Sequence, residues 1–207
     1  MDVFSYVISD DKSFKEDLNR AYGVCGDIGW ICSKVVNTTK ENALNNLKDI
    51  EITPGIPVMS RLVERVSDFE EVFERLQPPV LVQSKFDGLR CQIHKYDMAD
   101  FSKEVDVLWS RYVKKEQEKG LFQIEESGAV VKLFTRNLED VTEMFPELVE
   151  DAKRMENKSF ILDSEVLGWD GEKFLPFQDT MQRRRKHGIG ALKENIPVKA
   201  MCFDILH

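Results

Sequence analysis

The residues of this sequence that can do chemistry fall in three places. Lys85 follows a strand-like run and leads into Asp87-Gly88, with Arg90 close behind. Arg136 stands in the polar run after the apolar stretch Val130 to Phe134. Asp163 and Glu165 share one side of the apolar run Phe160 to Leu167, because alternate residues of a strand point the same way. An amine is a nucleophile only once deprotonated, and lysine loses its proton readily where burial or a nearby cation disfavours the charge. Two carboxylates on an apolar strand face are costly unless a cation, a donor or a ligand satisfies them. A lysine nucleophile, arginines for phosphate oxygens and a carboxylate for a metal ion or a ribose hydroxyl are what transfer of a nucleotide through a covalent lysine adduct requires. The stretch around Lys85, read alone, has a plainer reading: a surface hairpin turning at Asp87-Gly88.

Such residues need a sheet to hold them. Leu89, Cys91 and Ile93 alternate with Arg90, Gln92 and His94, the period of a strand with one buried face. Lys85 is therefore expected at a bend between two strands, its amine held over a sheet. Val130 to Phe134, Phe160 to Leu167 and Val198 to Leu206 read as further strands. Pro146 suits the first turn of a helix bearing Leu148, Val149, Ala152 and Met155 on one side, and Phe177 with Met181 predicts a short helix carrying the basic run Arg183 to Lys186. Between Tyr96 and Ser127, Phe101, Val105, Leu108, Trp109, Tyr112 and Val113 predict an amphipathic helix inserted in a loop of the sheet.

The first fifty residues read differently. Ser13 to Glu16 has the form of a capping box ahead of Phe14, Leu18 and Ala21, Gly23 and Gly26 break that helix, and Asp27 can cap the next along Ile28, Ile31 and Val35. A third helix is expected over Lys40 to Leu47. Two prolines and a glycine within Ile52 to Pro57 forbid regular helix and mark a boundary. Ser67 to Glu70 is a second capping-box pattern, and Phe69, Val72, Phe73 and Leu76 predict an amphipathic helix over Ser67 to Leu76.

At 207 residues and 42% hydrophobic content the chain can bury a sizeable core. A net charge of −8 argues against a protein that coats nucleic acid indiscriminately, while leaving room for a local basic surface. Cys25, Cys32, Cys91 and Cys202 have neither paired nor zinc-site spacing, so reduced thiols are expected. No run is apolar enough for a membrane span and Met1 opens no signal peptide, so an intracellular protein is expected, cytoplasmic in a prokaryote and nuclear in a eukaryote. His94 and His187 are read as ordinary residues.

Five stretches, in order, resemble the signatures of the ATP-dependent DNA ligases of the replicative, multi-domain type. Lys85-Phe86-Asp87-Gly88-Leu89-Arg90 resembles the first, Phe134 to Asp140 the second and Phe160 to Glu165 the third. Pro176-Phe177-Gln178 with Arg183-Arg184-Arg185-Lys186, and then Cys202 to Leu206, resemble two more. Asp27-Ile28-Gly29 and Thr53 to Pro57 resemble the end of the helical DNA-binding domain that precedes catalysis. The resemblance implies an α+β fold, an antiparallel-sheet nucleotidyltransferase (adenylylation) domain at 61–207, entered by a linker at 51–60 from the tail of an all-helical DNA-binding domain at 1–50. It implies a fragment of a longer enzyme that is poorly active alone, since the glutamate-glycine signature, the paired lysines and the OB-fold domain of the family are not in this sequence.

What the resemblance implies for residues follows the motifs. Lys85 would take AMP from ATP as a phosphoramidate, and Arg90 and Arg136 would contact the sugar or phosphates and later the 5′-phosphate of a nick. Glu165 would bind the ribose hydroxyl or Mg2+, Phe203 would stack on adenine, and Gln83, where the family commonly has glutamate, would read the adenine edge with its amide oxygen. Arg183, Arg184, Arg185 and Lys186 would contact DNA backbone or nucleotide phosphates. Nicked duplex DNA is the implied partner, whether a sliding clamp joins it stays open, and no membrane is involved. An RNA-end enzyme, a capping enzyme or RNA ligase, shares the lysine motif and is the alternative, and a non-catalytic nucleic-acid-binding module is the other.

Overall fold

A computed structural model describes residues 1–97, 128–181 and 196–207. Its first part is helical: α1 (Asp2–Ser9), α2 (Lys15–Val24), α3 (Ile28–Val35) and α4 (Lys40–Lys48). Leu18, Ala21, Ile31, Val35, Ala43 and Leu47 close a core between α2, α3 and α4. Local chemistry sets the helix ends. The carboxylate of Asp27 accepts from the Trp30 N–H at 2.8 Å, and the Thr39 hydroxyl does the same for Asn42, so α3 and α4 start where an oxygen is free to take an orphan donor. The expected capping box at Ser13 does not form. The Asp11 carboxylate captures the Ser13 N–H instead, at 2.8 Å, and α2 begins at Lys15. Helix α1 was not expected from the pattern.

From α4 the chain passes through the proline-rich stretch, turning at Gly55, and is tied back to the end of α2 and the turn after it. The Gly26 N–H donates to the Pro57 carbonyl at 3.3 Å and the Met59 N–H to the Gly23 carbonyl at 2.9 Å. Helix α5 (Phe69–Arg75) follows, capped by Asp68, not Ser67, because the Asp68 carboxylate accepts from the Glu71 N–H. Contrary to the amphipathic expectation, its apolar side lies open: Phe69 is 81% and Phe73 63% exposed.

The second part is a four-stranded antiparallel sheet of β1 (Leu89–Asp97), β2 (Ala129–Thr135), β3 (Phe160–Gly168) and β4 (Val198–Ile205), in the order β2-β1-β3-β4. Helix α6 (Pro146–Arg154) opens on its proline and lays Leu148 and Ala152 against one face, where Cys91, Ile93, Val131, Leu133 and Val166 make the core. The buried ammonium of Lys95 donates to the carbonyls of Lys153 and Met155, satisfying the end of α6. The other face carries Arg90, Gln92 and His94 on β1 and their register partners Glu165, Asp163 and Ile161 on β3. Sequence alternation predicts that this polar face meets solvent. It does not: Gln92 and His94 are 2% and 0% exposed. The short helix α7 (Phe177–Met181) follows β3. The helix expected between Tyr96 and Ser127 and the basic run Arg183 to Lys186 lie outside the described residues.

Candidate nucleotide site

The polar face of the sheet gathers charge at the end where β1 begins. Asp163 is buried, and its carboxylate accepts from Arg90 Nε at 3.0 Å and from Arg90 Nη2, the two-pronged grip that a planar guanidinium gives. The Asp163 pairing raises the pKa of the Arg90 guanidinium against the opposing effect of burial. The sequence left Asp163 as a costly carboxylate in need of a cation, and Arg90 is that cation. Glu165 stands one pleat along, opposite Arg90. Burial lifts its pKa, opposed by the Gly88 N–H, which donates to Glu165 Oε1 at 3.1 Å, and by the charges of Lys85 and Arg90.

Gly88 shows why the motif has glycine there. The residue is not in a left-handed turn conformation, so the plain hairpin reading of Asp87-Gly88 fails. Its backbone is pressed onto β3, and a Cβ would stand 2.4 Å from the Val166 carbonyl oxygen. Only glycine lets the chain pass close enough for its N–H to reach Glu165.

Phe203 reaches the site through an irregularity in β4. Asp204 pairs with Asp163 and Cys202 with Ser164, so Phe203 is the extra residue between consecutive partners, a β-bulge. Bulges re-aim a side chain. Here the ring lies 5.6 Å from the Arg90 guanidinium carbon, and the Phe203 carbonyl accepts from Gln83 Nε2 at 2.9 Å. Gln83, Arg90, Glu165 and Phe203 are thus brought together, with the amide oxygen of Gln83 left to accept from a ligand.

Lys85 departs from expectation. It is exposed, in a stretch over 80–87 with no regular structure, not at a bend between two paired strands with its amine over the sheet. The physical reason is that β1 already has β2 on one edge and β3 on the other, so the run before it finds no edge of β1 to join, and an unpaired ammonium keeps its water. Its charge still helps to lower the Glu165 pKa against the effect of burial. Phe86 beside it meets Phe174 edge-on, ring centroids 6.1 Å apart.

Arg136 is exposed in the turn after β2. Register places the turn at the Arg90 end of the sheet, since Thr135 pairs with Cys91. Leu138 in this turn takes φ 63°, a left-handed conformation, and packs on Gly26 of the helical part, where a Cβ would come within 2.5 Å of Leu138 Cδ1.

Sequence reasoning missed the roles of Gln92 and His94. The Gly55 N–H donates to His94 Nδ1 at 3.0 Å. The Val58 N–H donates to Gln92 Oε1 at 2.9 Å, and Gln92 Nε2 donates to the Val58 carbonyl at 2.7 Å. Because Nδ1 accepts, the imidazole proton is on Nε2, 3.3 Å from the same Gln92 oxygen. Burial pushes the His94 pKa down to about 3, aided by the charge of His207. The alternation that marked both residues as solvent-facing carried no sign of the Gly55 to Val58 segment that bonds to them.

Residues 116–207 match the family model described as the ATP dependent DNA ligase domain. The whole chain aligns with a probable DNA ligase of Dictyoglomus turgidum at 35% identity over 30% of that protein's length. It also aligns throughout with DNA ligase 1 of Methanosarcina mazei, at 31% identity over 31% of its length, and with DNA ligase 2 of Korarchaeum cryptofilum, at 30% over 30%. The chain thus spans about 30% of the length of the curated relatives it matches. The chain is thus similar to these DNA ligases along its whole length, and its residues 116–207 match the ATP dependent DNA ligase domain.

Proposed function

We propose that this chain is the nucleotide-accepting part of an ATP-dependent DNA ligase that seals nicks in duplex DNA through a lysine-AMP intermediate. The observation that carries the reading is the meeting of Arg90, Glu165, Phe203 and Gln83 on one end of one sheet face, with the Lys85 charge acting on Glu165. Lys85, deprotonated, attacks the α-phosphorus of ATP; the P–N bond forms as the bond to pyrophosphate breaks. Arg90, two of whose donors are held by Asp163, turns its remaining N–H groups to the sugar or phosphates, and Arg136 adds a second cation from the neighbouring turn. Phe203 stacks on adenine while Gln83 Oε1 accepts from the adenine amino group. A 5′-phosphate oxygen of the nick then attacks the adenylate phosphorus and frees Lys85, and the 3′-hydroxyl closes the strand as AMP leaves.

Among the described residues no three His, Cys, Asp or Glu side chains are grouped to cage a metal ion. Glu165 together with substrate phosphate oxygens fits the way Mg2+ is usually held, by one or two carboxylates and phosphates. Glu165 would hold Mg2+ there, and the ion would supply charge neutralisation to the phosphate oxygens.

In the same reading residues 1–50 end a helical DNA-binding domain, 51–60 are a linker, and 61–207 open the adenylylation domain. Arg183, Arg184, Arg185 and Lys186 contact DNA backbone. The protein works inside the cell, where its DNA is; none of the described helices is long and apolar enough to cross a membrane. The test uses the natural full-length protein with α-labelled ATP and magnesium. Wild type takes up covalent label and Lys85→Ala takes up none; label retained by the alanine variant refutes the reading.

A further inference from the structure

Gln92 and His94 have no part in the chemistry just described, yet both are buried on the nucleotide face of β1, at 2% and 0% exposed. Their polar groups are spent on the linker. Gln92 engages both main-chain groups of Val58, as a neighbouring strand would, and His94 takes the Gly55 N–H. The linker's other side is bonded to the helical part, through Gly26 N–H to Pro57 carbonyl and Met59 N–H to Gly23 carbonyl. One short segment is therefore fixed on both sides. On the sheet, the register partner of Gln92 is Asp163, the residue that grips Arg90. Gln92, which holds the segment, stands one pleat from Arg90 on the same face.

We propose that Gln92 and His94 form a clasp that holds the helical part in place against the nucleotide site, and that they are positioning residues for the DNA-dependent steps and not for lysine adenylylation. This rests on the function proposed above, in which the helical part binds DNA. With the linker held, duplex seated on the helices is presented to Lys85 and Arg136 in one pose. With it loose, the same duplex visits that pose only part of the time, and the effective concentration of the nick at the site falls. None of the residues placed around the nucleotide lies in helices α1 to α4, so charging of Lys85 does not depend on the clasp. The His94 imidazole suits the task because its neutral form offers an acceptor and a donor on opposite sides within a buried space.

The test uses full-length protein and separates the two stages. Gln92→Ala, His94→Leu and Val58→Pro are compared with wild type for covalent labelling by ATP and, starting from purified lysine-AMP protein, for single-turnover sealing against the concentration of nicked duplex. Val58→Pro removes the linker N–H without altering the sheet, so it answers even where the buried substitutions unfold the protein. Expected are wild-type labelling with sealing reduced about tenfold or more at low duplex concentration, the weight of one lost hydrogen bond, and recovery as duplex is raised. His94→Asn, whose Oδ1 can take the place of Nδ1, restores most of the loss. Variants that seal like wild type, or that lose labelling and sealing together while still folded by circular dichroism, overturn the clasp. A wild-type protein that takes up no label sinks the function itself and the clasp's part in it. Wild-type activity with indifferent variants sinks the clasp alone.

Discussion

The Arg90–Asp163 pair sets how firmly the site is built, and its worth can be worked from the structure. The side chain of Asp163 is 4% exposed and that of Arg90 30%. At a charge separation of about 4 Å and an effective dielectric of about 20, the attraction is roughly 4 kcal/mol. Removing one member of a buried pair costs roughly 3–5 kcal/mol, because the remaining charge has lost its water and its partner. The partial exposure of Arg90 lets water reach its side of the pair, which puts Arg90→Ala near the lower figure, about 3 kcal/mol. The double variant Arg90→Ala/Asp163→Asn removes the stranded charge and should recover about half of that or more, a coupling well above the additivity expected of independent sites. Urea unfolding of wild type, both singles and the double, followed by far-UV circular dichroism at neutral pH, measures all four corners. A loss under about 1 kcal/mol for Arg90→Ala, which is the range of an exposed pair, would refute the reasoning. So would a double variant no more stable than the arginine single.

Two further outcomes follow from neighbouring residues. His94 is held neutral, its folded pKa at about 3 against an ordinary value near 6.5. The unfolded chain takes the proton first as pH falls, so stability is intact above about pH 6.5 and drains between there and about 3, by roughly 2 kcal/mol at pH 5; the difference between wild type and His94→Asn across a pH series of urea titrations should show that slope, and a flat difference contradicts it. Gly88→Ala forces the backbone away from the Val166 carbonyl and takes the N–H from Glu165. It should lower stability by about 1–3 kcal/mol and abolish labelling of Lys85, and an alanine variant labelled as fast as wild type would show that the close approach is idle.

Much of the scaffold was legible in the sequence. The strands at Val130 to Phe134 and Phe160 to Leu167, the helix opened by Pro146 and the breaker run at Ile52 to Pro57 stand close to where local pattern puts them. Alternation and proline act over a few residues, so a single sequence carries them. The pairing of Asp163 with a cation was legible as a need, though not as a partner, because β1 and β3 are brought side by side only by the sheet.

The sequence by itself determined the residue types at the site and the faces on which Arg90, Asp163 and Glu165 stand, since side-chain alternation is a property of any strand. Tertiary structure decided the rest. The bulge that aims Phe203 at Arg90 depends on how β4 pairs with β3, and the open face of α5 and the exposure of Lys85 depend on what lies beside them. The burial of Gln92 and His94 was decided by the Gly55 to Val58 segment, more than thirty residues away in the chain. Burial is settled by neighbours distant in sequence, and no local pattern of polar and apolar residues contains them.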